Sequence, residues 1–201
     1  MTALLPGPAG RRAETELDVV AVDNAAGIRA LAAHLLADHG YRRVGFLAGP
    51  ADSPDARERL AAFRQAVGEH PGCTLDPVLE GDFSEASGST AARALLELRP
   101  RPQAVACAND QMAIGMLLQL QDSGVRVPGD IAVTGFDDIY ASRVVAPPLT
   151  TVGQPLRELG RRAAQRLRAR TLRRELGNGR GRVQHEFHGE RVPAVPARPG
   201  R

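Results

Sequence analysis

Five side chains stand where short apolar runs give way to loops: Asp55, Arg59, Phe83, Asn109 and Asp137. Their types suit a small hydroxylated ligand. A carboxylate accepts hydroxyl protons, an asparagine both donates and accepts, and an arginine donates in a fixed fork. An aromatic ring such as Phe83 can cover the apolar face of such a molecule. Asp52, Asp82, Asp110 and Asp138 occupy similar junctions. Asp110 opens an apolar helical stretch, where an acid satisfies orphan backbone N–H groups, so it reads as a helix cap. For Arg59, Asn109 and Asp137, loop solvation or an ordinary ion pair weighs equally against the ligand reading at this level.

Catalytic chemistry finds little support. Asp137 and Asp138 suggest a glycosidase pair, but neighbours on an extended segment point to opposite sides. There is no G-x-S-x-G elbow to present a nucleophilic serine, and the five histidines lie in helical or tail contexts. His185-Glu186-Phe187-His188 is one residue short of the zinc-binding H-E-x-x-H spacing. All 26 basic residues are arginine, which excludes both a lysine-bearing phosphate loop and Schiff-base catalysis. Cys73 and Cys107 are too few for a disulfide scaffold, a four-cysteine zinc site or an iron–sulfur cluster. The chain reads as a binding protein, not an enzyme, with no cofactor and no metal.

The elements that must position these residues alternate in type. Residues 18–22 read as a strand, Asn24 as an N-cap, and an Ala/Leu-rich helix carrying Leu31, Leu35 and Leu36 runs to Gly40. A strand at 44–47 precedes a helix over 56–69, and a weaker strand at 77–79 precedes a helix from Ser84-Glu85 to Leu98. Small apolar residues at 104–108 suit a central parallel strand, followed by a helix from Asp110 that ends at Gly124. A strand at 131–134 is closed by Gly135 and the acidic pair. After Pro147-Pro148, Pro155 opens a long arginine-rich helix reaching Leu176, and 183–187 offers one last strand. This alternation predicts an α/β protein with a Rossmann-like parallel sheet flanked by helices. In such sheets ligands collect at the carboxyl ends of the strands, which is where the five residues fall.

Charge is unevenly placed. Residues 1–142 hold 12 arginines against 19 acids, and residues 143–201 hold 14 against 4. A polyanion would bind the second region if any. Yet Leu156, Leu159, Ala163, Leu167 and Leu172 recur there at helical spacing, so residues 157–174 read as an amphipathic helix with a solvated face. No run approaches the roughly 18 apolar residues of a membrane span, and residues 1–10 do not form a secretion signal. These features predict a cytoplasmic protein.

Several motifs in fixed order resemble the LacI/GalR-type transcriptional regulators. They are Arg42-Arg43-Val44-Gly45-Phe46-Leu47-Ala48-Gly49-Pro50, Ala56-Arg57-Glu58-Arg59-Leu60 with Phe63, Gly81-Asp82-Phe83, Ala108-Asn109-Asp110-Gln111-Met112-Ala113, Gly135-Phe136-Asp137-Asp138 and Pro147-Pro148-Leu149-Thr150-Thr151-Val152. The resemblance spans residues 17–174. It implies a periplasmic-binding-protein-like fold of type I, with two Rossmann-like subdomains around a sugar or similar polar effector. Effector contacts would then fall on Asp55, Arg59, Phe83, Asn109 and Asp137, the set already chosen by strand-end position. It also implies a homodimer, with Ile114 and Val145 as interface candidates, and operator DNA as a partner through a helix-turn-helix domain that this sequence does not contain.

On this basis residues 41–153 plus 182–192 are expected to form a nearly complete C-terminal, effector-binding subdomain. Residues 17–40 and 154–176 would be a partial, exposed and mobile remnant of the N-terminal one, with 1–16 and 193–201 disordered. The alternatives are a stand-alone periplasmic sugar-binding protein, which the missing export signal argues against, and a glycoside hydrolase using Asp137 and Asp138.

Overall fold

Apolar residues in short runs separated by amphipathic helices build two compact units in the computed structural model, which describes residues 2–4, 19–176, 190–193 and 195–198. One unit comprises Met1–Asp23 with Pro155–Pro193, the other Asn24–Gln154 with Ala194–Arg201. In the first, β1 (Thr2–Leu4) pairs antiparallel with β2 (Val19–Asp23).

The second unit opens with α1 (Asn24–Ala33), which continues into a π-helical turn over His34–Asp38. β3 (Arg43–Ala48), α2 (Pro54–Gly68), β4 (Thr74–Glu80), α3 (Glu85–Glu97), β5 (Ala104–Cys107) and α4 (Asp110–Asp122) follow. β6 (Ala132–Asp137), the short α5 (Tyr140–Val144) and β7 (Thr150–Gly153) complete the alternation. The chain then passes to the first unit, where α6 (Leu156–Leu176) packs against β2 and β8 (Glu190–Pro193) pairs parallel to β2. It returns with β9 (Val195–Arg198), an antiparallel edge beside β7.

The six-stranded sheet has the order β4-β3-β5-β6-β7-β9, parallel up to β7. Because β4 lies on one side of β3 and β5 on the other, the crossover direction reverses between β3 and β5. In open α/β sheets that reversal separates the following loops and leaves a crevice at the strands' carboxyl ends. Ala104, Val105, Ala106 and Cys107 of β5 are all buried, as a strand covered on both faces must be.

Four sequence expectations are corrected. The helix assigned to an exposed remnant belongs to the second unit: Ile28, Leu31, Ala32, Leu35 and Leu36 are buried in one core with Phe46 and Phe63. Their stripe at positions i, i+3, i+4 and i+7 finds a surface in α2, β7 and β9, so this apolar area is not left in water. Residues 2–4 and 195–198 are not structureless, since both segments complete ladders as edge strands. Residues 190–193 pair with β2 in the first unit, not with the six-stranded sheet. The strand at 131–134 continues through Gly135 to Asp137, where Phe136 is fully buried. The expected strand at 183–187 and the His185-Glu186-Phe187-His188 segment lie outside the described residues.

Along α6, Leu159 is buried while Leu156 and Leu167 are exposed, and Arg161 and Arg162 both pair with Glu158. The apolar stripe expected of this helix is therefore only partly covered, since Leu156 and Leu167, two of its members, face solvent. No helix among the described residues is long and apolar enough to cross a membrane.

Candidate functional site

The carboxyl ends of the parallel strands each release a polar or aromatic side chain into one rim. Asp55 and Arg59 enter on the first turns of α2 after β3, with Ser53 capping that helix through its bond from Ala56 N–H. Phe83 follows β4, Asn109 follows β5, Asp137 ends β6, and Gln154 comes directly after β7.

Arg59 is the hub. Only 3% exposed, its Nε donates to Asn24 Oδ1 at 2.8 Å and its Nη1 donates to Ala108 O at 2.6 Å, at the end of β5. The same Nη1 lies 3.6 Å from Asp137 Oδ1, and the guanidinium carbon sits 3.8 Å from the Phe136 ring centroid. Asn24 Nδ2 donates onward to Asp55 Oδ1 at 3.0 Å and Glu58 Oε2 at 3.1 Å. Asp55 and Arg59 are thus joined through Asn24. Burial lowers the Arg59 pKa, against the pull of Asp137, Asp55 and Glu58. Burial raises that of Asp137, against the Arg59 charge and the bond donated by Gln154 Nε2.

Asn109 is the N-cap of α4. Its Oδ1 accepts from Met112 N–H at 3.0 Å, and its Nδ2 donates to Phe83 O at 3.0 Å, fixing the loop after β4. The cap expected of Asp110 is therefore made by Asn109, one residue earlier. Asp110 instead turns inward: Thr151 Oγ1 donates to its Oδ1 at 2.5 Å and Ile139 N–H to its Oδ2 at 2.9 Å. Fully buried, its carboxyl is pushed up to about 6 by desolvation, which those two bonds oppose.

Backbone strain concentrates here. Phe83, Asp137 and Asp138 have φ of 71°, 125° and 55°, a region that non-glycine residues rarely occupy unless their surroundings hold them. Close approaches explain two glycines. A Cβ on Gly49 would lie 2.2 Å from the Phe83 ring, and one on Gly135 would lie 2.1 Å from Asp110 Oδ1.

The structure therefore brings Arg59, Asp137 and Asp55 into one network with Asn24, and sets Asn109 and Phe83 beside each other. Asp138 is diverted to a fork-like pair with Arg143 at 3.0 and 2.7 Å, so it does not share a site with Asp137 in the manner of a glycosidase dyad. Asp82 is held by Ser84, and Asp52 is exposed on its turn. Among the described residues no group of three or more His, Cys, Asp or Glu is placed to hold a metal. Of the interface candidates, Ile114 is only 4% exposed and belongs to the chain's own core, whereas Val145 is half-buried.

Sequence reasoning missed Asn24 and Gln154. In the sequence Asn24 carries only the signal of a helix cap, and the signal for Gln154 is its position directly after the short strand Thr150–Gly153. The assembled rim is a set of fixed donors and acceptors with an aromatic edge, suited to holding a polar molecule.

Sequence comparison decides the family: the profile of the periplasmic binding protein-like domain matches residues 32–188. The chain belongs to that family and is of the LacI/GalR type. It is 38% identical over 168 residues to the HTH-type transcriptional repressor CytR of Escherichia coli (strain K12), covering 83% of this chain and 49% of that protein. Against the HTH-type transcriptional repressor PurR of Vibrio atlanticus (strain LGP32) it is 37% identical over 144 residues, 71% of this chain and 43% of that one. The fold superposes on a lac repressor dimer bound to operator and the anti-inducer ONPF with a TM-score of 0.77 at 32% identity, covering 89% of this chain and 58% of that one. The chain spans about half the length of the curated relatives it matches.

Proposed function

We propose that this chain is the effector-sensing part of a cytoplasmic LacI/GalR-type transcriptional regulator, and that its rim binds a sugar or similarly hydroxylated metabolite without altering it. The carrying observation is the buried Arg59, which ties Asn24, Ala108 O and Asp137 together at the reversal point of the sheet. A buried arginine fork with an adjacent carboxylate keeps its geometry before a ligand arrives, which lowers the ordering cost of binding. Asp55, Phe83 and Asp137 are the accessible members, and Asp137 has a quarter of its side chain exposed. Arg59 and Asn109 hold them and share their charge and dipoles with the ligand. The similarity to a lac repressor dimer bound to both operator and the anti-inducer ONPF supports this reading. In the intact regulator, effector binding shifts a conformational equilibrium and so changes operator affinity.

A second copy of the chain is the proposed partner. Leu118 on α4 and Tyr140 and Val144 on α5 are exposed and apolar, and Gln121 Nε2 donates to Ala146 O at 2.8 Å, holding the two segments side by side. Leu118 lies one turn beyond Ile114 and takes the outward role proposed for it.

Thermal-shift and calorimetric screening with sugars and nucleosides tests the effector reading, since a ligand that binds only the folded state raises its midpoint. At least one compound should raise it in the wild type and lose most of that effect in Asp137→Asn. If no compound shifts the midpoint at millimolar concentration, or if Asp137→Asn responds like the wild type, the rim is not the site.

A further inference from the structure

The end of α1 carries a second polar cluster, made by residues the rim does not use. In an α-helix, residues five apart diverge around the axis. Here the turn over His34–Asp38 is π-helical, and His39 N–H donates to His34 O at 3.2 Å. That wider turn carries His39 over His34, so that the two Nε2 atoms stand 3.3 Å apart, with ring centroids at 4.6 Å and planes at 84°. Single π-turns of this sort recur at functional positions.

Three features of the pair suit a metal ion. Two imidazole nitrogens bound to one tetrahedral ion at about 2.0–2.1 Å stand about 3.3 Å from each other, which is the separation already present. His34 Nδ1 lies 3.3 Å from Asp38 Oδ2, so Nδ1–H donates to the carboxylate and Nε2 keeps its lone pair for the ion. The His39 ring is stacked on Tyr41, centroids 5.6 Å apart and planes at 15°, which restrains its orientation. Beneath them Leu35 and Leu36 are buried, so the backbone presenting both rings is anchored in the core.

We propose that His34 and His39 bind a borderline divalent transition-metal ion, of the Zn2+, Ni2+ or Cu2+ kind, through their Nε2 atoms, with Asp38 as the orienting partner of His34. Without the ion, His39 Nε2–H donates to His34 Nε2; on binding, the His39 proton moves to Nδ1 and both lone pairs face the metal. Among the described residues no third protein ligand completes the set, so water occupies the remaining positions and the site is open and exchangeable. Two imidazoles select against Mg2+ and Ca2+, which take oxygen ligands. This inference is independent of the effector reading.

The test is a calorimetric titration of the full chain with zinc chloride, on a background in which His185→Gln and His188→Gln remove the other closely spaced histidines. The background protein should take up a single equivalent of zinc and none of magnesium. His34→Gln and His39→Gln should each abolish that uptake, and Asp38→Asn should weaken it roughly tenfold, as loss of an orienting partner does. His39 is exposed, so His39→Gln should melt like its parent in metal-free buffer, which separates a lost ligand from a lost fold. Nickel should selectively broaden the imidazole proton resonances of His34 and His39. The proposal is overturned if millimolar zinc gives no heat, or if the His34→Gln/His39→Gln double variant binds zinc as its parent does.

Discussion

The two ends of the six-stranded sheet use the same residue types in opposite ways. At the amino-terminal end, Arg43 and Asp76 pair at 2.7 Å in contact with water, and Arg126 and Asp130 do the same at 2.6 Å. At the carboxyl end, Arg59 is buried, Asp110 is fully buried, and Asp137 is held by Arg59 and Gln154. Charges in water cost little to keep and contribute little. Charges withdrawn from water are retained only where every partner is fixed. The strained backbones of Phe83, Asp137 and Asp138 also lie at that end. A protein selected for stability alone would gain by replacing such groups with apolar ones, and their concentration at one end is what supports the effector site proposed there.

Arg59→Leu should break this contrast most severely. It strips donors from Asn24 and Ala108 O and leaves Asp137 without its cation, and a broken buried pair costs about 3–5 kcal/mol. Urea unfolding would measure it, and a loss below about 1 kcal/mol would mean the carboxyl end is no more committed than the other.

Asp110→Asn sharpens the comparison through pH. The folded carboxyl titrates at about 6, above the ordinary aspartate range. The protonated form is therefore favoured by folding: its stabilisation is full below about pH 4 and is lost as pH rises through 6. The asparagine variant should remove that decline, which amounts to at most about 3 kcal/mol. Chemical denaturation of both proteins at pH 4 and pH 7 reads the difference, and parallel pH profiles would contradict it.

Gly135→Ala comes next, with an expected loss of about 1–3 kcal/mol, because the new methyl must displace a buried carboxylate oxygen. Combining it with Asp110→Ser should recover part of the loss, and strict additivity would show that the two do not meet. Arg43→Ala, at the opposite end, should change stability by less than about 1 kcal/mol.

The long elements were legible from pattern. The helix expected over 56–69 is Pro54–Gly68, and the one expected over 85–98 is Glu85–Glu97, because caps at Ser53 and Ser84 and apolar spacing act locally. Short elements escaped: α5, β7, β1 and β9 span three to five residues, too few to carry a period, and pairing with neighbours defines them. The site divides along the same line. Arg59 and Asp137 could be named because they stand at strand ends. Asn24 reaches an arginine 35 residues away and Gln154 an aspartate 17 away, contacts that only the folded sheet creates. The misplacement of α1 has a related cause: its apolar stripe fits either subdomain, and α2 decides between them.

Both flanking strands of the six-stranded sheet contain a proline, Pro77 in β4 and Pro196 in β9. A ring nitrogen offers no hydrogen to a newcomer, so each border is blunted against lateral growth by strand addition. A strand added at either border of this sheet would meet a gap in its hydrogen-bond ladder.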